Sequence, residues 1–119
     1  MNDMSDPNCL FCKIAAREVP AEILRESDRV IAFRDVNPQA PTHVLLIPKE
    51  HIESLDDIRD GHGPLLADIV QAAAHLAHTE DVDERGWRLV SNVGPDAGQA
   101  VFHLHFHLLG GRPMGWPPG

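Results

Sequence analysis

The chain has 119 residues, of which 43% are hydrophobic, a length and composition that suit one compact domain with a modest core. Its 10 Lys and Arg residues are outnumbered by 18 Asp and Glu residues, which gives a formal charge of −8 at pH 7. This acidity argues against nucleic acid as a partner, and any phosphate ligand would have to be bound by local groups.

The first eight residues are polar and acidic, and we expect residues 1–8 to be flexible. They contain neither the basic start nor the apolar segment of a secretory signal, and no apolar run in the chain approaches the length of a membrane span. We therefore expect a cytoplasmic protein with no membrane partner, in which residues 9–119 form a single domain.

The first half of the chain predicts a short helix and three strands. Apolar residues at helical spacing predict a helix over residues 9–17, which Pro20 ends. Two β-prone runs, residues 22–26 and 30–34, predict a hairpin. Residues 43–48 are almost all apolar and predict a central strand covered on both faces, preceded by a proline-containing loop.

The second half predicts one long helix and two further strands. Residues 64–79 carry a helical stripe of apolar residues, namely Leu65, Leu66, Ile69, Val70, Ala73, Leu76 and Ala77. Residues 87–93 and 101–109 read as strands, and residues 110–119 form a tail rich in Gly and Pro. The predicted fold class is α+β, with a mostly antiparallel five-stranded sheet, one long helix and one short helix.

Three histidines alternate with apolar residues near the C-terminus, at His103, His105 and His107. Because side chains on a strand alternate between its two faces, the histidines are predicted to line one surface while their neighbours enter the core. Such a row serves either as a set of neutral metal ligands or as a nucleophile and acid in phosphoryl chemistry. A solvated polar strand face is the functionally neutral alternative.

Two other features bear on this choice. The preceding loop, residues 92–99, contains two glycines, a composition that lets backbone N–H groups approach a phosphate closely. Cys9 and Cys12 lie three apart, and in a reducing compartment that spacing suits a metal or redox centre better than a structural disulfide.

The sequence resembles the histidine-triad nucleotide-binding proteins, whose signature of alternating histidines and apolar residues matches residues 103–109 in full. The resemblance extends over about residues 9–119 and points to the purine nucleoside phosphoramidase branch. Its further matches lie at residues 33–35, 38–43, 47–49, 51–52, 98–99, 110–112 and 116–119.

The resemblance implies that His105 is the nucleophile and forms a nucleotidyl-histidine intermediate, which water then hydrolyses. A neutral imidazole attacks through one nitrogen while the other holds the proton, and we expect the carbonyl of His103 to fix that proton. By the same resemblance His107 donates to the phosphate oxygens and His43 supports the histidine network. N–H groups near Gln99 would help to stabilise the developing charge, so that no magnesium is required.

The resemblance also implies contacts with a purine nucleotide. Asp35 would accept bonds from both ribose hydroxyls, although it also suits a loop-capping role. The walls of the base pocket would be Leu10, Phe11, Ile14, Phe33, Val36 and Leu45, which equally suit an ordinary core. Asn92 would lie near the phosphate with Gly98, Gln99 and Ala100, although an Asn at a strand end also satisfies backbone groups.

One position departs from the family. Its phosphoramidases commonly carry a serine where this chain has Ala100, and that hydroxyl is thought to help protonate the leaving amine. In this chain either water or His107 supplies the proton, or phosphoramidate turnover is slower and another leaving group is preferred.

A structural zinc site is also implied by the resemblance. Cys9 and Cys12 would supply two thiolates, and His51 and His103 would complete a closed tetrahedral set. Related members of the superfamily use a comparable pair of cysteines and two histidines. The alternative is that the cysteines are free and pack as small apolar residues.

Several functions remain open from the sequence. A dinucleoside polyphosphate hydrolase would share the triad, but the tail at residues 116–119 favours the phosphoramidase branch, and a transferase is disfavoured because His107 is not glutamine. A catalytic zinc hydrolase would use the triad as ligands, and a non-catalytic nucleotide-binding or adaptor protein would bind without turnover. The resemblance further implies a two-fold homodimer with a continuous sheet, in which Trp116 reaches the neighbour's site.

Overall fold

A computed structural model describes residues 5–119; residues 1–4 of the segment expected to be flexible lie outside the described residues. Within residues 5–119, two α-helices and five strands follow one another along the chain. They are α1 (Leu10–Ala15), β1 (Ile23–Glu26), β2 (Val30–Arg34), β3 (Thr42–Pro48), α2 (Gly63–Thr79), β4 (Trp87–Val90) and β5 (Phe106–Gly110), with short 3-10 turns at Leu55–Asp57 and Asp60–His62 between β3 and α2. The predicted α+β class is confirmed.

The strands form one antiparallel sheet in the order β1-β2-β3-β5-β4. The predicted central strand is confirmed: β3 pairs with β2 on one side and β5 on the other, and all seven of its residues are buried. Its pairing with β5 places Leu45 opposite His107 and His43 opposite Leu109. The middle of the sheet therefore holds two histidines from distant parts of the chain.

Each face of the sheet has its own apolar cluster. Helix α2 covers one face, where it packs on Val44, Leu46, Leu104 and Leu108. Helix α1 covers the other face, where Phe11 packs on Phe33 and Leu45. Because β-strand side chains alternate, Leu104 and Leu108 face α2, whereas the neighbouring histidines face α1.

Helix α2 begins one residue before the predicted Pro64 and ends at the predicted Thr79. Its buried residues are Leu65, Ile69, Ala72, Ala73, Leu76 and Ala77. Val70 was assigned to this stripe wrongly, since its side chain is 50% exposed. A position one residue after Ile69 lies about 100° around the helix, outside the face that meets the sheet. Among the described residues, no helix has the length and hydropathy that crossing a membrane requires.

The prediction of a strand over residues 101–109 was wrong at its start, since β5 begins only at Phe106. The preceding backbone bonds to groups other than a partner strand: the Leu104 N–H donates to the Ile52 carbonyl at 2.6 Å, and the His103 carbonyl accepts from an imidazole. The predicted strand over residues 87–93 likewise ends at Val90, after which the Ser91 hydroxyl donates to the His105 carbonyl at 2.8 Å. Side-chain bonds and one backbone bond to a loop thus replace the ladder where the histidines lie.

Helix α1 is shorter than the predicted residues 9–17 and is capped by Cys9, whose sulfur accepts from the Cys12 N–H at 3.4 Å. It ends before Arg17, which has a left-handed φ of 64°. Its burial of Phe11 and Cys12 brings one aromatic ring and one thiol against the histidine face of the sheet.

Candidate active site

The three alternating histidines share the face of the sheet that α1 covers. His103 and His105 are buried in the segment that leads into β5, and His107 is half-buried on β5 itself. The Phe11 ring packs edge-to-face with both of the first two imidazoles, with centroids 5.9 Å from His103 and 5.1 Å from His105. The alternation predicted from the sequence therefore holds although the regular strand begins later.

The proton of His105 is fixed by the backbone. Its Nδ1 lies 2.7 Å from the carbonyl oxygen of His103, the acceptor that the sequence analysis expected. Because a carbonyl only accepts, Nδ1 must carry the proton, and the neutral ring keeps its lone pair on Nε2. His105 lines a cleft. An imidazole at such a place, with its tautomer set in advance, suits the role of a nitrogen nucleophile.

His43 and His107 belong to a chain of hydrogen bonds with a defined donor direction. The backbone N–H of Gln39 donates to Nδ1 of His43 at 3.0 Å, so the neutral His43 ring must carry its proton on Nε2. That atom lies 2.9 Å from Nδ1 of His107, which therefore accepts. His107 is left with its proton on Nε2, available as a hydrogen-bond donor.

Burial keeps this pair neutral. The pKa of His107 is lowered to about 4, mainly by burial and then by the neighbouring His105 and His43, while Asp35 opposes the shift. Burial also lowers the pKa of His43, against the opposing charge of Asp35, whose Oδ2 lies 3.4 Å from Nε2 of His43. At neutral pH both rings are thus uncharged donors and acceptors rather than cations.

The histidines open into a cleft of about 450 Å³. Its apolar lining comes largely from α1, β2 and β3, and its polar lining includes His105, His107, Asp35 and Asn92. The residues predicted for substrate binding that line it are Leu10, Phe11, Ile14, Phe33, Asp35, Val36, Leu45, Asn92, Gly98 and Ala100. An apolar pocket with a few polar groups suits a ligand with one flat apolar part and one polar part.

The cleft is also lined by five residues that were not predicted from the sequence, namely Val19, Pro20, Ala21, Arg34 and Val101. The segment of residues 19–21 gives no local signal for a site, because it reaches the cleft only when the chain turns back after α1. Arg34 was hidden by its position at a strand end, where its guanidinium also forms two hydrogen bonds with Glu80 at 2.7 and 3.0 Å.

Two predicted substrate contacts lie elsewhere. The buried Gln99 side chain accepts from the Gly94 N–H at 2.9 Å and donates to the carbonyls of Glu53 and Val101 at 2.9 and 3.1 Å. Its own N–H donates to the Gly94 carbonyl, so Gln99 holds the glycine loop together. Trp116 is 83% exposed and does not line the cleft of its own chain.

The four predicted metal ligands come together beneath α1. Nδ1 of His103 lies 3.3 Å from Sγ of Cys9 and 3.5 Å from Sγ of Cys12, and Nδ1 of His51 lies 3.3 Å from Sγ of Cys12. All four ligand atoms lie within 4.8 Å of one another. Two sulfurs and two nitrogens around a tetrahedral zinc would stand about 3.5 Å apart along each S–N edge, so the spacing fits such an ion.

Protonation also suits a metal at this cluster. Nε2 of His103 lies 2.8 Å from the carbonyl oxygen of Pro48, so it carries the proton and leaves a lone pair on Nδ1, which faces the thiols. Burial lowers the pKa of His103 to about 4 and raises the pKa of the Cys12 thiol to about 11. Metal binding would therefore require the release of thiol protons.

Asp35, His43 and His107 form a second cluster whose candidate ligand atoms also lie within 4.8 Å of one another. The tautomers of this cluster are less suited to a metal than those of the cysteine cluster. The Gln39 N–H donates to Nδ1 of His43 and leaves the proton on Nε2, the atom that faces His107. A metal there would need an anionic imidazole or the loss of the Gln39 bond. The tautomers thus favour a metal at the cysteine cluster and a proton network at this one.

The sequence also matches a known family. The family model of the HIT domain aligns with residues 16–114. The chain belongs to the HIT family. The matched residues of this HIT-family chain include all five strands, α2 and the three alternating histidines, and they leave out α1 and both cysteines.

Individual proteins are similar to this chain over most of its length. The chain is 45% identical over 106 residues to the purine nucleoside phosphoramidase of Escherichia coli, which covers 89% of each chain. It is 42% identical over 118 residues to a 14 kDa zinc-binding protein of Zea mays, covering 98% of this chain and 91% of that protein. The crystal structure of a HIT family hydrolase from Legionella pneumophila matches with a TM-score of 0.92 at 54% identity, over 94% of this chain and 100% of that one.

Proposed function

We propose that this protein is a nucleotide hydrolase that cleaves purine nucleoside 5′-phosphoramidates, or related nucleotide conjugates, at the α-phosphorus. The observation that carries the proposal is the bond from Nδ1 of His105 to the His103 carbonyl, which leaves Nε2 as the nucleophilic atom beside the cleft. The 45% identical relative named purine nucleoside phosphoramidase supports the substrate class. Residues 9–119 would act as one unit in this reaction.

The reaction has two displacements. In the first, Nε2 of His105 forms a bond to the α-phosphorus while the phosphorus–nitrogen bond breaks, and the amine leaves with a proton taken from water or from His107. In the second, water attacks the phosphorus and the bond to Nε2 breaks, which releases nucleoside monophosphate and restores the neutral imidazole; one proton of the attacking water passes to solvent or replaces the proton that His107 gave to the amine. Nε2–H of His107 would donate to the phosphate oxygens as negative charge develops.

The rest of the cleft would position the nucleotide. The apolar lining would accommodate the purine, and the Asp35 carboxylate would accept from the ribose hydroxyls while its Oδ1 also accepts from the Asn37 N–H at 2.8 Å. Asn92, Gly98 and the backbone beside Ala100 would face the phosphate. Ala100 offers no hydroxyl to the leaving amine, which favours leaving groups that need little protonation.

A structural zinc ion is the proposed cofactor, and no magnesium is required. Cys9, Cys12, His51 and His103 would hold it with all four positions taken by protein, so that it would tie α1 to the segment that carries His105. The 42% identical zinc-binding relative supports this assignment. The cytoplasm is the proposed location, since a reducing compartment keeps both thiols available.

We also propose a homodimer. Strand β4 lies at an edge of the sheet, where a second copy could continue the ladder. The exposed Trp116 would then contribute to the partner's cleft rather than to its own. Sedimentation equilibrium should give twice the chain mass of 13.1 kDa, and a monomer mass at micromolar concentration would contradict the assembly.

The hydrolase proposal is tested by mixing intact protein with adenosine 5′-phosphoramidate, quenching rapidly and measuring the protein mass. The wild type and a control His75→Ala, altered at an exposed position on α2, should both show a nucleotidyl adduct and release adenosine monophosphate. His105→Ala should show neither. Binding without adduct or turnover in the wild type would indicate a nucleotide-binding module, and turnover that survives in His105→Ala would indicate a metal-dependent hydrolase.

A further inference from the structure

Arg112 follows β5 and reaches back to the loop of residues 35–41. Its Nε donates to the carbonyl oxygen of Gln39 at 2.9 Å, and its Nη1 donates to the carbonyl oxygen of Pro113 at 3.0 Å. The planar guanidinium thus joins a backbone group of the tail to one of the loop in fixed relative positions. This contact lies outside the cleft, since Arg112 is not among its lining residues.

Gln39 is the residue whose N–H sets the tautomer of His43. Its N–H donates to Nδ1 of His43 at 3.0 Å, its carbonyl accepts from Arg112, and its side-chain Nε2 donates to the Asn37 carbonyl at 3.0 Å. The two backbone groups of Gln39 are therefore fixed from both sides of one Cα atom. Rotation of this residue about φ or ψ would break one bond or the other.

The tail and the loop are in close contact beside this bond. Gly111 has a left-handed φ of 92°, and a Cβ placed on it would lie 2.8 Å from Cβ of Pro41. Only glycine allows the tail to approach the loop so closely with that backbone conformation. The constrained backbone at Gly111 therefore places Arg112 beside Gln39.

We propose that Arg112 is a positioning residue for the His43–His107 pair, acting through the backbone of Gln39. The inference rests on the proposed function of that pair. With Arg112 in place the order of donors runs from the Gln39 N–H through His43 to His107, and Nε2–H of His107 is presented as a donor.

The consequence of losing Arg112 follows from the donor order. If the Gln39 N–H leaves Nδ1 of His43, that nitrogen can hold the ring proton itself, and Nε2 becomes an acceptor. Nδ1 of His107 must then donate to it, which leaves a lone pair on Nε2 of His107. A lone pair facing phosphate oxygens repels the charge that a donor would stabilise.

The experiment compares Arg112→Ala, Arg112→Lys and a matched control, Arg85→Ala. Arg85 is exposed and borders the same surface hollow as Arg112. The first readout is the ¹⁵N chemical shifts of the imidazole nitrogens at pH 7, which report the tautomers of His43 and His107. The second is kcat and KM for adenosine 5′-phosphoramidate, with thermal melting to show that each variant is folded.

Arg112→Ala should mix the His43 tautomers and lower kcat about tenfold while KM changes less than about twofold, as expected when a catalytic group is misplaced. Arg112→Lys, whose ammonium can donate to the same carbonyl, should restore most of both signals, and Arg85→Ala should match the wild type. Unchanged tautomers in Arg112→Ala, or an equal loss of kcat in Arg85→Ala, would overturn the proposal. Because the tautomers are measured without substrate, absence of turnover in the wild type would overturn the hydrolase proposal alone.

Discussion

Nε2 of His43 lies 2.9 Å from Nδ1 of His107, although 64 positions separate the two residues in the chain. The strands that carry them are neighbours in the sheet, and the Gln39 N–H on the far side of His43 decides which of the two rings donates. The polarity of the candidate active site is thus set by one backbone group in a loop.

This order predicts that His43 contributes to the rate and little to binding. His43→Phe removes the donor to His107, so the proton of His107 is no longer confined to Nε2 and kcat should fall about tenfold to a hundredfold. Single-turnover rates with adenosine 5′-phosphoramidate measure the effect, with His75→Phe on the exposed face of α2 as the control. Equal rates in the wild type and in His43→Phe would show that the pair has no part in the reaction.

The buried neutral state of His107 predicts a loss of stability in acid. Its pKa is lowered to about 4 in the folded protein, below the value of 6.5 for an unperturbed imidazole, so the unfolded chain binds a proton first. The stability that the neutral His107 ring provides is fully present above about pH 6.5. As the pH falls toward 4 it should be lost, and the free energy of unfolding should fall by about 3 kcal/mol.

Urea denaturation at pH 7 and pH 4 measures this contribution. His107→Gln has no ring to protonate and should lose about 3 kcal/mol less than the wild type over the same interval. The two proteins would show the same pH dependence if His107 were protonated equally well in the folded state.

The position of Asp35 predicts recognition of the ribose. Asp35→Asn keeps an oxygen for the Asn37 N–H but removes the charge and one acceptor, so KM for the ribonucleoside substrate should rise about tenfold. The matched measurement uses a 2′,3′-dideoxy substrate, for which the variant and the wild type should have the same KM. An equal rise for both substrates would assign Asp35 to the loop rather than to the sugar.

The cysteine cluster predicts one structural zinc ion per chain. Metal analysis should find it in the wild type and in His62→Ala, altered outside the cluster, and should not find it in Cys9→Ser or Cys12→Ser. Free zinc at a hundredfold its Kd should add about 3 kcal/mol to the free energy of unfolding of the wild type. A chelator that abolished turnover at once, while the fold remained intact, would instead indicate a catalytic metal.

Much of this protein follows from local patterns in the sequence. The apolar run of β3 predicts a strand buried on both faces, the helical stripe of α2 predicts one buried face, and the alternation of residues 103–109 separates the histidines from the leucines; these local patterns are enough to assign all three. The spacing of Cys9 and Cys12 indicates a pair of ligands from one turn for the same reason. The resemblance to the HIT family, which the sequence carries in the same residues, was confirmed.

The rest was decided by the tertiary structure. For two of the imidazoles, the nitrogen that carries the proton depends on a partner far away in the chain, namely Pro48 for His103 and His43 for His107. The packing of Val19 into the cleft is equally non-local, as are the bonds from Leu104 to Ile52 and from Ser91 to His105 before β5. A sequence pattern specifies which face a side chain takes because that depends on neighbouring residues, whereas the proton positions of His103 and His107 depend on atoms that only folding brings within 3 Å.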